Sequence, residues 1–154
     1  MPCQKCVDKP GYHSFIHFGD LSGTKMFYTA LAKTEDYNRD GTKLANISIH
    51  IDENTAGGPW IWLFDCSNMG FHNYTDVSFN ISLLKLLAKN PTIQGVWVVH
   101  PNTWIRGVHS FFSMFSRAPL LDRFSYFEGS GAELMNDFLS RGLHPRTIEW
   151  LLSQ

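Results

Sequence analysis

The sequence has few cysteines, no long apolar run and no excess of charge of either sign, and each shortage excludes a class of protein. Three cysteines in 154 residues are an odd number and too few for a disulfide framework, which favours a reducing compartment. No apolar run approaches the ~18 residues that a membrane-spanning helix needs, and the first residues lack the apolar stretch of a signal peptide. A formal net charge of −1 provides no basic surface for general nucleic-acid binding. We therefore expect a cytoplasmic protein with no nucleic-acid partner.

Common catalytic and cofactor motifs are also missing. The chain has no glycine-rich phosphate-binding loop, no paired catalytic carboxylates and no metal-binding pattern among its seven histidines. Cys3 and Cys6 form a Cys-x-x-Cys pair, which can supply half of a zinc site or a redox dithiol, but no second pair follows. We therefore predict that residues 1–11 are a flexible terminus with free thiols, and that the protein has no metal and no cofactor.

The composition that is present describes one globular domain. A hydrophobic content of 44 % over 154 residues is enough for one core. The continuous apolar runs at 60–64 and 96–99 have the length and composition of strands that are covered on both faces. Apolar residues at helical spacing over 75–89 lie between them, which predicts a βαβ crossover. We expect an α/β fold over residues 12–154, with a mixed sheet and central parallel strands.

The remaining segments continue the alternation of strands and helices. Aromatic and β-branched residues at 12–18 and 25–31 predict an antiparallel pair of strands. Residues 43–54 fit both a helical face and the alternation of a strand, so both interpretations stay open. A capping box at 130–133 and a proline before 146–152 predict two closing helices.

The segment 102–116 is predicted to be a helix with an unusually wide apolar surface. Four of its apolar residues recur at spacings of three and four, namely Trp104, Val108, Phe111 and Phe115. A helix of this kind is either buried in a core or lies over an apolar cavity. Its sequence is compatible with both.

Three stretches carry a resemblance to a known family. Residues 96–106 are a strand followed by His-Pro-Asn-Thr-Trp-Ile-Arg, 119–126 lead through a turn into a strand, and 63–70 end a strand in an aspartate before a glycine. Together they resemble the CRAL-TRIO lipid-binding fold, and within it the BCH-like branch of Rho GTPase-activating proteins. The resemblance covers roughly residues 12–141, and it implies a helix at 43–54.

The resemblance implies that a hydrophobic ligand, a lipid, binds in an apolar groove under the 102–116 helix. Arginines near this helix suit an anionic headgroup or an acidic membrane surface. Arg123 stands where phosphoinositide-binding relatives carry a lysine, whereas Leu120 departs from the hydroxyl residue that those relatives have. The predicted ligand-binding residues are Trp104, Val108, Phe111, Phe115, Arg106, Arg117, Arg123 and His100.

Two other functions remain open. BCH-like relatives are protein-interaction scaffolds, so the resemblance also implies a small GTPase or a second copy of the chain, in a homodimer, as the partner. Asp65, Cys66 and His100 follow the two apolar strands, and together they contain the parts of a nucleophilic hydrolase or transferase site. Cys66 does not, however, lie in the tight glycine-flanked turn of a nucleophile elbow. We expect a non-catalytic protein.

Overall fold

Five strands form a single mixed sheet in the computed structural model, which describes residues 3–33, 43–69, 77–115 and 119–154. The strands are β1 Ile16–Leu21, β2 Thr24–Ala30, β3 Trp60–Asp65, β4 Ile93–Val99 and β5 Phe124–Phe127. Their order in the sheet follows the chain, with β1 and β2 antiparallel and all later neighbours parallel. The predicted α/β class is confirmed, as are the antiparallel first pair and the parallel central strands.

The helices lie on both faces of this sheet. They are α1 Gln4–Asp8, α2 Lys43–Thr55, α3 Val77–Ala88, α4 Thr103–Phe115, α5 Gly131–Ser140 and α6 Pro145–Leu152. Each crossover between successive parallel strands returns on the same side, so α2, α3 and α4 pack on one face, and α5 and α6 cover the other. None of the helices in the described ranges has the length and apolar character that a bilayer span requires.

Both faces of the central strands are buried, which explains their continuous apolar sequence. In β3, Leu63 belongs to the core under α5 and α6, while its neighbours Trp62 and Phe64 belong to the core under α2 and α3. The buried indole of Trp62 donates a hydrogen bond of 2.8 Å to Thr29 Oγ1 on β2. Alternation by strand geometry thus places apolar residues in two separate cores.

The segment with two open interpretations, 43–54, is helical. Ile47 and Ile51 lie one turn apart on the buried side of α2 and are 2 % and 3 % exposed. The strand alternative is wrong because the buried positions follow the helical spacing of four residues and not the alternation of two.

The closing helices begin and end where the sequence predicts. Ser130 is the N-cap of α5, where its hydroxyl accepts a hydrogen bond from the backbone N–H of Glu133. Gly142 follows the helix with a φ of 91°, a conformation that favours glycine. Pro145 occupies the first turn of α6.

The N-terminal segment differs from the predicted flexible terminus. Residues Gln4–Asp8 form the short helix α1, and Cys3 is only 7 % exposed. The physical reason is that the thiols of Cys3 and Cys6 meet the imidazoles of His13 and His50, so residues far apart in the sequence hold this segment against α2.

Replacement of Phe138 by alanine tests the packing of α5 on the sheet. Phe138 is fully buried, and its ring centroid lies 4.8 Å from that of Phe127 and 6.3 Å from that of Trp97. We expect Phe138→Ala to lower the free energy of unfolding by about 3–5 kcal/mol in urea denaturation. Met135→Ala is the control on the same helix, since Met135 is exposed, and an equal loss in both variants would contradict this packing.

Candidate functional site

An apolar cavity of about 70 Å³ lies between α3, α4 and the sheet. Its floor comes from β3, β4 and β5, and its walls come from the two helices. The lining residues are Leu31, Phe64, Asn80, Leu83, Leu84, Leu87, Val96, Val98, Ile105, Val108, His109 and Phe124. Among them, only Asn80 and His109 have polar side chains. Because about 10–15 Å³ is enough for a water molecule, the cavity has room for a small apolar group.

Helix α4 has an inner and an outer apolar side, which accounts for its wide apolar surface. Asn102 starts the helix, where its Oδ1 accepts a 2.9 Å hydrogen bond from the backbone N–H of Ile105. Val108 lines the cavity and Phe112 is 4 % exposed, whereas Phe111 is 47 % and Met114 75 % exposed. The two interpretations of this helix, burial in a core and a position over a cavity, therefore both apply to its inner side only.

His109 is one of the two polar residues of the cavity lining, and it contacts a tyrosine outside that lining. His109 Nδ1 lies 2.6 Å from the hydroxyl of Tyr126, and its ring stacks on Phe124 with centroids 4.4 Å apart. Burial lowers the pKa of His109, although a hydrogen bond with the Leu121 backbone opposes that shift. The imidazole of His109 is therefore neutral at neutral pH, and it adds no formal charge to the cavity.

Of the predicted binding residues on α4 whose side chains the structure describes, one lies in the cavity. Val108 lines it, Trp104 is half-buried without being one of the lining residues, and Phe111 faces outward. The side chain of Phe115 lies outside the described residues, as does the whole of Arg117.

The other predicted polar residues have partners within the protein. Arg106 forms an ion pair of 2.9 Å with Glu128 and lies over the ring of Tyr126. Arg123 donates a hydrogen bond of 2.7 Å to the backbone carbonyl of Ile93, which joins the start of β5 to the start of β4. His100 is exposed, and its backbone N–H donates to the Phe127 carbonyl. None of these three residues is among those that line the cavity.

Several lining residues escaped the sequence analysis. Leu84 and Leu87 were recognised only as apolar residues of a helix, and Val98 and Phe124 only as strand residues. A cavity depends on how completely neighbouring side chains fill the space between elements, and no sequence pattern reports that. His109 was not part of any sequence motif, so no pattern marked it as a lining residue.

Asp65 and Cys66, two residues of the nucleophilic alternative, are in environments that suit a structural role. Asp65 accepts hydrogen bonds from the Tyr28 hydroxyl at 2.7 Å and from the backbone N–H and hydroxyl of Ser67 at 2.9 and 2.6 Å. Burial, with a smaller contribution from the charge of Asp65, raises the pKa of Cys66 to about 12. A thiol with this pKa is protonated at neutral pH and is a poor nucleophile.

A second cluster of chemically active side chains lies at the N-terminal segment. Cys3, Cys6, His13 and His50 bring two sulfurs and two ring nitrogens within 4.8 Å of one another. These are the ligand types of structural zinc sites. The Cys-x-x-Cys pair was the sequence signal for this cluster. The two histidines do not follow it at a characteristic spacing, since His13 is 7 and His50 is 44 positions after Cys6, and His50 lies on α2.

Alkylation of Cys66 tests its environment. We expect iodoacetamide at neutral pH to modify Cys66 far more slowly in the folded protein than in urea, because the folded thiol is buried and protonated. Peptide mass spectrometry would follow this cysteine separately from Cys3 and Cys6. His100→Ala should not change the rate, and a fast reaction that depends on His100 would restore the nucleophilic alternative.

The lowered pKa of His109 predicts a dependence of stability on pH. The unfolded chain takes up the proton first, near pH 6.5, so the free energy of unfolding should decrease as the pH falls through 6.5 and level off below the lowered folded pKa. Urea denaturation at pH 7.5 and 5.0 measures the effect. His109→Gln should show a smaller decrease than wild type, and an equal decrease would assign it to other groups.

Neither a scan of the chain against models of protein families nor a comparison with curated proteins gives a match. The resemblance to the CRAL-TRIO fold therefore stays a prediction, and a function has to be inferred from the residues described above.

Proposed function

We propose that this protein binds a hydrophobic ligand, the acyl chain of a lipid, in the cavity beneath α4. The observation that supports the proposal is the cavity itself, because ten of its twelve described lining residues are apolar and it lies against the helix under which the sequence analysis expected an apolar groove. Ligand pockets are commonly concave and apolar, with a few polar groups at defined positions. Asn80 and His109 are such groups here.

The size of the cavity implies that α4 moves when a ligand enters. A cavity of about 150 Å³ holds benzene, so one of about 70 Å³ accepts only part of an acyl chain in this conformation. Phe112 is the one buried residue among the described side chains of α4. A helix that buries few apolar residues opens at a low free energy compared with the core strands. In this proposal α4 acts as the lid.

Arg106 is the arginine best placed for an anionic headgroup. Its side chain is 45 % exposed and its partner Glu128 is 65 % exposed. Exposed ion pairs contribute about 0–1 kcal/mol, so a phosphate or carboxylate of the ligand can replace Glu128 at small cost. Arg123 is less suitable because it is bonded to the backbone of β4.

Because none of the cysteines is in a disulfide, we place this activity in the cytoplasm.

The outer side of α4 supports a second candidate function, that of a protein-interaction module. Phe111 and Met114 expose apolar surface on consecutive turns. Exposed apolar patches commonly mark docking surfaces. A small GTPase or a second copy of this chain would cover them in the manner that the BCH-like resemblance implies.

Two aspartate substitutions on the same helix distinguish the inner side from the outer side. Val108→Asp places a carboxylate in the cavity, whereas Met114→Asp places it in solvent. Burial of an unpaired carboxylate costs about 3 kcal/mol or more, so Val108→Asp should weaken binding of a fluorescent fatty acid by about a hundred-fold. Met114→Asp should bind it as wild type does. Circular dichroism and the urea midpoint control for loss of the fold.

The same titrations test the headgroup contact. Arg106→Gln should weaken binding of an anionic phospholipid about ten-fold and leave a neutral one nearly unchanged, because a charge-assisted hydrogen bond contributes about 1.5–3 kcal/mol. Arg146→Gln, an exposed arginine on α6, is the control. If wild-type protein binds no lipid probe below its aggregation limit, the lipid proposal fails and the interaction module is favoured.

A further inference from the structure

Four metal-ligand side chains converge where the N-terminal segment meets α2. We propose that Cys3, Cys6, His13 and His50 bind one zinc ion, which fastens this segment to the sheet domain. The proposal concerns a structural site and is independent of ligand binding under α4.

The distances around His13 are not those of an ordinary hydrogen-bond network. Its Nδ1 lies 3.5 Å from Cys3 Sγ, 3.3 Å from Cys6 Sγ and 2.9 Å from His50 Nε2. Cys6 Sγ also lies 3.4 Å from His50 Nε2. One ring nitrogen carries either one proton or one lone pair, so it can satisfy only one of three such neighbours. The four ligand atoms instead all lie within 4.8 Å of one another, as they would around one ion.

The dimensions agree with tetrahedral zinc. Bonds of about 2.3 Å to sulfur and 2.0–2.1 Å to nitrogen place the ligand atoms of a tetrahedral site about 3.3–3.8 Å apart. The sulfur–nitrogen distances of 3.3 to 3.5 Å lie in this range. The nitrogen–nitrogen distance of 2.9 Å is shorter, and a shift of a few tenths of an ångström in one imidazole would open it.

The ligand set selects the metal and its role. Thiolates and imidazoles favour Zn²⁺, whereas Mg²⁺ and Ca²⁺ require oxygen ligands. Four protein ligands leave no open position for a substrate, which is typical of structural sites. Cys3, His13 and His50 are each less than 8 % exposed, so a bound ion would be shielded from solvent.

Binding would release two protons and join two parts of the chain. The thiols of Cys3 and Cys6 each lose a proton to solvent as the two Zn–S bonds form, and the histidines bind as neutral ligands. His50 lies on α2 between Ile47 and Ile51, which are packed on the sheet. Next to His13, Ser14 accepts a hydrogen bond of 3.0 Å from the backbone N–H of Ala30 on β2. Zinc would thus hold residues 3–13 against an already anchored helix.

Metal analysis of the full chain under reducing conditions tests the proposal. We expect one zinc per chain by elemental analysis and native mass spectrometry, and a higher Tm with Zn²⁺ than after chelation. Co²⁺ in place of zinc should give the visible absorption of a tetrahedral thiolate site. Cys6→Ser and His50→Gln should each lower Zn²⁺ affinity at least about 100-fold, beyond the loss typical of outer-shell changes.

Matched controls come from the same chain. Cys66→Ala removes the one cysteine outside the cluster, and His17→Gln removes an exposed histidine of β1, and both should bind Zn²⁺ as wild type does. The proposal is overturned if reduced wild-type protein binds no zinc, if Cys6→Ser and His50→Gln bind it unchanged, or if Cys3 and Cys6 are found as a disulfide. Should a variant fail to fold, the Co²⁺ spectrum of wild type decides alone, and absence of tetrahedral bands would refute the site.

Discussion

The structure depends on the burial of both faces of β3 and β4. A strand that is apolar on both sides must be covered on both sides, and successive crossovers in chain order bring α2, α3 and α4 to the same face. The opposite face is left to the C-terminal helices, where Leu134 and Phe138 are 2 % and 0 % exposed. The two cores are therefore filled by different parts of the chain, and they need not be filled equally well.

That inequality is the physical origin of the candidate ligand site. Helix α2 packs Ile47 and Ile51 fully against the sheet, whereas α4 is close enough to cover β5 but leaves the cavity between itself and α3. A helix that buries few of its side chains opens at a low free energy compared with the core strands. In the proposed function an acyl chain would give the atoms that line the cavity the dispersion contacts that a void does not.

The sequence predicted the elements far better than the sites. Continuous apolar runs identified β3 and β4, and the capping box located α5, because these patterns depend on local geometry. Phe111 was predicted to line the groove and is 47 % exposed in the structure, since a broad apolar stripe does not define which side of a helix faces the core. Arg123 was predicted to be a headgroup ligand, although its bond to the Ile93 carbonyl needs the parallel pairing of β4 and β5, which brings together residues 30 positions apart.

The cysteine cluster shows the same limit in a sharper form. Cys3 and Cys6 were assigned to a frayed end because a Cys-x-x-Cys pair alone is ambiguous, and the information that decides it lies at His50, in a segment whose secondary structure was itself open. Because 43–54 is a helix that packs Ile47 and Ile51 on the sheet, His50 is buried beside them and contacts Cys6 of the N-terminal segment. A metal there would make α2 the rigid end of this face of the sheet. In the proposed function α4 is the helix that we expect to move, because Phe112 is the one buried residue among its described side chains.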